Sequence, residues 1–208
     1  MNKKRKNVNS KNMLSDTDIV FVLDRSGSMS CVEDATIKGY NDFLKSYQQD
    51  KGKVFVTTVL FDDQYEILYE RKEIDRVEYM DTKTYYTRGC TALMDAVGKT
   101  ITTISKKILK GDRVIFVIIT DGMENASVEY HKETVKKLIK EHSDWEFVFM
   151  GANIDSYAEA SSIGIKNENI ANFTQNEESM GILFRCASMY LNEEMEDFCL
   201  QEKLDKMS

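Results

Sequence analysis

The sequence predicts an α/β protein with a doubly wound, mainly parallel central sheet, helices on both faces and one antiparallel edge strand. Three observations carry that prediction. Apolar runs at residues 19–23, 114–119 and 145–150 are nearly unbroken and of strand length, which is how parallel strands buried on both faces read. Helical stripes stand between them, so strand and helix alternate along most of the chain. Residues 53–61 and 65–69 are joined only through a turn at Asp62 and Asp63, too short for a crossover helix, so this pair is antiparallel.

The first strand, residues 19–23, delivers Asp24, Ser26 and Ser28 onto a loop, with Gly27 between the serines. Glycine there lets the chain bend tightly enough to turn both hydroxyls inward. Ser30 and Glu33 have capping-box spacing, and Ile37, Tyr40, Leu44 and Tyr47 recur at helical intervals until Gly52 stops the helix. The hairpin strands follow, the first rich in β-branched and aromatic residues. Residues 74–89 are weakly periodic and read as a short helical turn and a loop, whose Tyr79, Tyr85 and Tyr86 cover the sheet edge.

From Thr91 the pattern sharpens. Leu93, Val97, Ile101, Ile104 and Ile108 make a helical stripe ending at Gly111, and residues 113–120 are a strand that ends in Asp121 and Gly122. A loop at 123–127 leads to a helix over 128–141, and the next strand runs from 145 to 150. Asp155 caps a short helix closing at Gly164, and residues 170–173 form a last short strand. Thr174 and Glu177 have capping-box spacing at the start of a final helix, with Met180, Leu183, Ala187, Leu191, Met195 and Phe198 on one face. The acidic run Glu193, Glu194, Glu196 and Asp197 reads as its solvated side.

The 208 residues suffice for one such domain, over 16–208, preceded by a basic disordered tail at 1–15. No apolar run approaches the roughly 18 residues of a membrane span. The basic start lacks the apolar segment of about 7–15 residues that follows in a secretory signal, so the expected location is cytoplasmic. Cys31, Cys90, Cys186 and Cys199 form no CxxC pair and no disulfide framework, which agrees with a reducing compartment and argues against zinc. A net charge of −7 argues against nucleic-acid or membrane-surface binding, which need a basic face. Only Lys3, Lys4, Arg5 and Lys6 depart from that balance, as a solvated tail.

The chemistry gathers at strand ends. Asp24 and Asp121 both follow buried strands, and in such sheets ligands bind beyond the carboxyl ends, where the winding direction reverses. Carboxylates and hydroxyls together suit a hard cation such as Mg²⁺. Taken singly, each piece has a local explanation: Asp and Ser fill turns and cap helices, and Thr91 can be an N-cap.

Together, DRSGS at 24–28, the lone threonine of GCTAL at 89–93 and TDG at 120–122 resemble the metal-ion-dependent adhesion site of von Willebrand factor type A (VWA) domains. The resemblance extends over 18–173 and includes the order and spacing of the pieces. It implies a Rossmann-like fold and a Mg²⁺ (or Mn²⁺) ion. It implies that Asp24, Ser26 and Ser28 form the core of the site, with Thr91 and Asp121 binding directly or through water. The expected protein is a non-enzymatic module of a stand-alone intracellular bacterial or phage kind. Its partner would supply a Glu or Asp that completes the metal shell, some relatives working with AAA+ ATPases or within larger complexes.

Two other functions stay open at this point. A Mg²⁺-dependent phosphatase would use Asp24 as nucleophile, although phosphatases of the haloacid dehalogenase type carry a second aspartate where this chain has Ser26. A scaffold would use the C-terminal helix for assembly and the metal only structurally. Around the motif, Arg25 is expected to point outward, Asp62 and Asp63 to be turn residues, and Cys90 to be a buried small hydrophobe. Glu124 and Asn125 read as a polar loop, with support of the metal site as the alternative. His131 and His142 stand about 16 Å apart on one predicted helix, too far to share a metal, and read as packing residues.

Overall fold

The computed structural model describes residues 16–46, 53–152, 156–191 and 200–207. Tyr47, Gly52, Asp155, Met195, Phe198, Cys199, the acidic run at 193–197 and the basic tail lie outside them. The chain runs β1 (Thr17–Asp24), a 3₁₀ turn (Gly27–Val32), α1 (Glu33–Ser46), β2 (Val54–Phe61) and β3 (Tyr65–Glu73). Then come a 3₁₀ turn (Ile74–Arg76), α2 (Leu93–Ile104), β4 (Arg113–Thr120), α3 (Lys132–Glu141), β5 (Glu146–Ala152) and α4 (Ser156–Ser162). A 3₁₀ turn (Asn167–Asn169), β6 (Ile170–Phe173), α5 (Glu177–Leu191) and α6 (Leu200–Met207) complete it.

Among the described residues six strands form one sheet in the order β3-β2-β1-β4-β5-β6, with only β2 and β3 antiparallel. Strand alternation divides the core in two. Ile19, Phe21 and Leu23 face α1, α5 and α6, whereas Val20 and Val22 face α2, α3 and α4. On the first face the Phe21 ring meets Phe43 edge-on at 4.9 Å, an arrangement favoured by the ring quadrupoles. The winding reverses between β1 and β4, whose ends lie side by side in a register that pairs Leu23 with Ile119.

Differences from the expected elements have local causes. α3 begins at Lys132 rather than 128, because the Asp95 carboxylate accepts the N–H groups of Val128, Glu129 and Tyr130 at 3.1, 2.9 and 2.7 Å and holds them in a loop. Neither capping box forms as read. Glu33 accepts the Thr87 N–H and hydroxyl at 2.8 and 2.9 Å, and Asn176 rather than Thr174 caps α5, its Oδ1 accepting the Ser179 N–H at 2.8 Å. His131 precedes α3 and is exposed, while His142 packs on Trp145 at 4.5 Å between ring centroids.

The single C-terminal helix of the expectation is two. α6 lies against the free edge of β6, where the Gln201 amide accepts the Asn172 N–H at 2.7 Å and donates to its carbonyl at 3.4 Å, much as a neighbouring strand would. β3 extends to Glu73 through a bulge at which Arg71 has φ 47°. That conformation brings Arg71 to the buried Asp18, with Nε at 2.8 Å and Nη2 at 3.0 Å from its two oxygens.

Candidate metal centre

The site is built where β1 and β4 end. Asp24 is the last residue of β1 and fully buried; its Oδ1 accepts the Ser26 N–H at 2.6 Å and its Oδ2 the Thr120 hydroxyl at 2.5 Å. Tyr85 reaches in from the long loop and donates to the Asp24 carbonyl at 2.6 Å. The 3₁₀ turn then carries Ser28 outward, so its hydroxyl lies 3.0 Å from that of Ser26 and donates to Asp121 Oδ1 at 2.6 Å. Asp24, Ser26 and Asp121 form a buried floor, and Ser28 an exposed lip.

Thr91 arrives from a separate loop. A Cβ added to Gly122 would stand 2.4 Å from the Thr91 hydroxyl, so the threonine side chain lies directly against the chain beyond Asp121. Only glycine leaves that space. Asn125 holds the threonine there: its Oδ1 accepts the Thr91 N–H at 2.9 Å and its N–H donates to the Thr91 carbonyl at 3.0 Å. The structure therefore brings Asp24, Ser26, Ser28 and Asp121 into one hydrogen-bonded chain and sets Thr91 beside them.

Burial pushes the Asp24 carboxyl up to about 6, against the lowering effect of the Thr120 and Ser26 hydrogen bonds; the neighbouring Asp121 charge adds to the rise. Burial likewise raises Asp121, although the Ser28 bond acts the other way. Among the described residues neither carboxylate has an ion pair. Two desolvated carboxylates beside two hydroxyls are short of positive charge, and all their donor atoms are oxygen. That donor set fits a hard divalent cation. Among the described residues no three His, Cys, Asp or Glu side chains gather into a group that could hold a metal.

Several neighbours differ from expectation. Arg25 does not point outward: it is 1 % exposed and pairs with Asp62 at 3.0 Å, which makes Asp62 an ion-pair partner rather than a mere turn residue. Cys90 is exposed, not a buried hydrophobe. Gly27 does not adopt a left-handed backbone, and a Cβ there would meet only the Gly89 carbonyl oxygen at 3.6 Å, an ordinary contact. The left-handed glycine of the region is Gly89, at φ +68°.

Sequence reasoning missed Tyr85, Asp62 and Gln175 as neighbours of the site. Gln175, from the turn between β6 and α5, donates to the Ser28 carbonyl at 3.0 Å and to Asp121 Oδ2. Its only signal in the sequence is its place just after a strand at the same end of the sheet. Thr120 could have been found, since it belongs to TDG and faces Asp24 once β1 and β4 are neighbours.

No family model and no curated protein matches the chain. Solved structures do. Proximal thread matrix protein 1 from the mussel byssus, in a structure described as having a zinc-occupied MIDAS motif, is 16 % identical with a TM-score of 0.61, covering 86 % of this chain and 46 % of that one. A von Willebrand factor type A protein from Catenulispora acidiphila is 13 % identical with a TM-score of 0.61, covering 84 % and 42 %. The pilus adhesin SpaC from Lactobacillus rhamnosus GG, in an open conformation, is 13 % identical with a TM-score of 0.69, covering 86 % and 30 %. The chain thus spans less than half the length of each. These likenesses show the fold, which is that of VWA domains.

Proposed function

We propose that this VWA fold, over residues 16–208, is a divalent-metal-dependent protein-binding module. In that reading Asp24, Ser26, Ser28, Thr91 and Asp121 hold a Mg²⁺ or Mn²⁺ ion, and a Glu or Asp of a partner protein completes its shell. One observation carries it: Asp24, Ser26, Ser28 and Asp121, from segments almost a hundred residues apart, are joined by one run of hydrogen bonds, through the Ser26 N–H and the two serine hydroxyls, at the switch point of the sheet.

The chemistry follows from the donors. Mg²⁺ takes six oxygens in near-octahedral geometry and gives up water reluctantly. A site of hydroxyls and two carboxylates leaves positions to solvent, and an entering carboxylate can replace a water there. Asp24 and Asp121 supply the charge. The Thr120 hydroxyl and the Ser26 N–H orient the Asp24 carboxylate, and the exposed Ser28 is the ligand a partner would meet first.

A phosphatase using Asp24 is disfavoured because Ser26 stands where phosphatases of the haloacid dehalogenase type carry a second aspartate. Among the described residues no helix is long and apolar enough to cross a membrane. The cytoplasmic setting enters as the environment that keeps the exposed thiols of Cys31 and Cys90 reduced. An AAA+ ATPase or a larger complex is the partner class to seek first. Capture on immobilised chain with Mg²⁺, with EDTA and with Asp24→Ala tests the reading. Partners should appear only with metal and wild-type chain; equal capture by Asp24→Ala contradicts it.

A further inference from the structure

The two loops that carry the candidate ligands are tied together by a residue that is not itself a ligand. Asp62, at the end of β2, is completely buried. Its Oδ2 accepts the Arg25 Nε–H at 3.0 Å and the Arg88 Nε–H at 2.7 Å, and its Oδ1 accepts the Gln64 N–H at 2.6 Å. Its backbone carbonyl accepts the Ala92 N–H at 2.9 Å. Arg25 stands between Asp24 and Ser26, Arg88 three residues before Thr91, and Ala92 directly after it.

Direct bonds between the loops reinforce this junction. The Arg88 N–H donates to the Arg25 carbonyl at 2.8 Å, and the Gly27 N–H to the Gly89 carbonyl at 3.2 Å. Gly89 passes so close to the neighbouring turn that a Cβ would stand 2.4 Å from Asp63 Oδ1. Arg25 has few other anchors: Nη1 lies 2.9 Å from Glu66, off the hydrogen-bonding direction, and Nη2 has no hydrogen bond among the described residues.

We infer that Asp62 is a positioning residue for the metal centre, fixing the distance between the Asp24–Ser26–Ser28 loop and Thr91. The inference rests on the metal-site reading above. An ionised carboxylate suits the place because one oxygen must accept two guanidinium donors while the other accepts a backbone N–H. An asparagine offers one acceptor oxygen and turns an NH₂ group toward one of those donors. It also leaves two arginines, one wholly buried, without their shared counter-charge.

The fold supplies its own control. Asp18, at the opposite end of the sheet, is equally buried and is likewise held by an arginine, Arg71, through two hydrogen bonds. The test is Mn²⁺ affinity by electron paramagnetic resonance for wild type, Asp62→Asn, Arg88→Gln and Asp18→Asn, with circular dichroism to confirm folding. Asp62→Asn should bind Mn²⁺ at least tenfold more weakly, the lower end of the effect of removing groups that orient metal ligands. Arg88→Gln should show a loss of threefold or more, and Asp18→Asn should stay within twofold of wild type despite a comparable loss of stability.

If Asp62→Asn does not fold, Arg88→Gln, which lies on the partly exposed side of the same link, decides the matter. Affinities within twofold of wild type for the folded variants overturn the inference, as does an equal loss in Asp18→Asn. Absence of Mn²⁺ binding by wild type itself instead removes the metal-site reading on which the inference stands.

Discussion

The hydroxyl of Ser28 donates to the carboxylate of Asp121 at 2.6 Å, across 93 positions of sequence. The bond closes only when β1 and β4 lie side by side, so the candidate metal centre is assembled by the sheet and not by any one loop. Removing Asp121 tests this. Asp121→Ala should stay folded, because the residue lies beyond β4, yet lose the stabilisation that metal gives. For wild type that stabilisation should reach about 2.7 kcal/mol at 100 times the Kd, read by thermal denaturation with and without Mg²⁺.

The approach of Gly122 to Thr91 yields a second prediction. A methyl group there would stand 2.4 Å from the Thr91 hydroxyl and 3.3 Å from its Cβ and Cγ2, so the threonine must move. Gly122→Ala should destabilise the fold by about 1–3 kcal/mol, as overpacking does, and weaken metal binding as well. Adding Thr91→Ala should restore stability without restoring metal affinity. Denaturant unfolding and a metal titration of both variants separate the two effects.

Asp24 gives a pH dependence with a definite sign. Its carboxyl rises from 3.8 to about 6 on burial in the metal-free protein, so the folded state holds the proton more tightly than the unfolded chain. Its contribution to stability is complete below about pH 4 and is lost as pH climbs through about 6, a change of about 3 kcal/mol. Measured by denaturation, the stability of wild type relative to Asp24→Asn should fall by that amount between pH 4 and 7. With saturating Mg²⁺ the trend should reverse, because metal and proton compete for the same carboxylate. Parallel curves for the two proteins would contradict this.

Gln175 would compete with a cation at Asp121 as well. Its amide donates to Asp121 and to the Ser28 carbonyl, and a hydrogen bond to a charged group contributes about 1.5–3 kcal/mol. Metal bound at Asp121 must displace or weaken that contact. Gln175→Ala should therefore tighten Mg²⁺ binding by roughly tenfold, the equivalent of about 1.4 kcal/mol, as followed by calorimetry.

Much of this fold was legible because its strands are buried on both sides. β4 lies where its apolar run puts it, since a parallel strand covered on both faces leaves little else for such a run to be. Asp24, Ser26, Ser28 and Asp121 were legible because strand ends fix where the chain emerges. What escaped was set by long-range polar contacts. No periodicity reveals that Asp95 delays α3, that Arg25 turns inward to Asp62, or that Tyr85 reaches the Asp24 carbonyl. Those partners are 34, 37 and 61 residues apart, and a side chain's choice among distant partners leaves no local pattern.

The central claim is that this constellation holds a divalent cation. Isothermal titration of Mg²⁺ and Mn²⁺ into the purified chain and into Asp24→Ala tests it most directly. The account predicts one site per chain in wild type and none in a folded Asp24→Ala. No heat of binding at millimolar metal, or the same isotherm in both proteins, would contradict it.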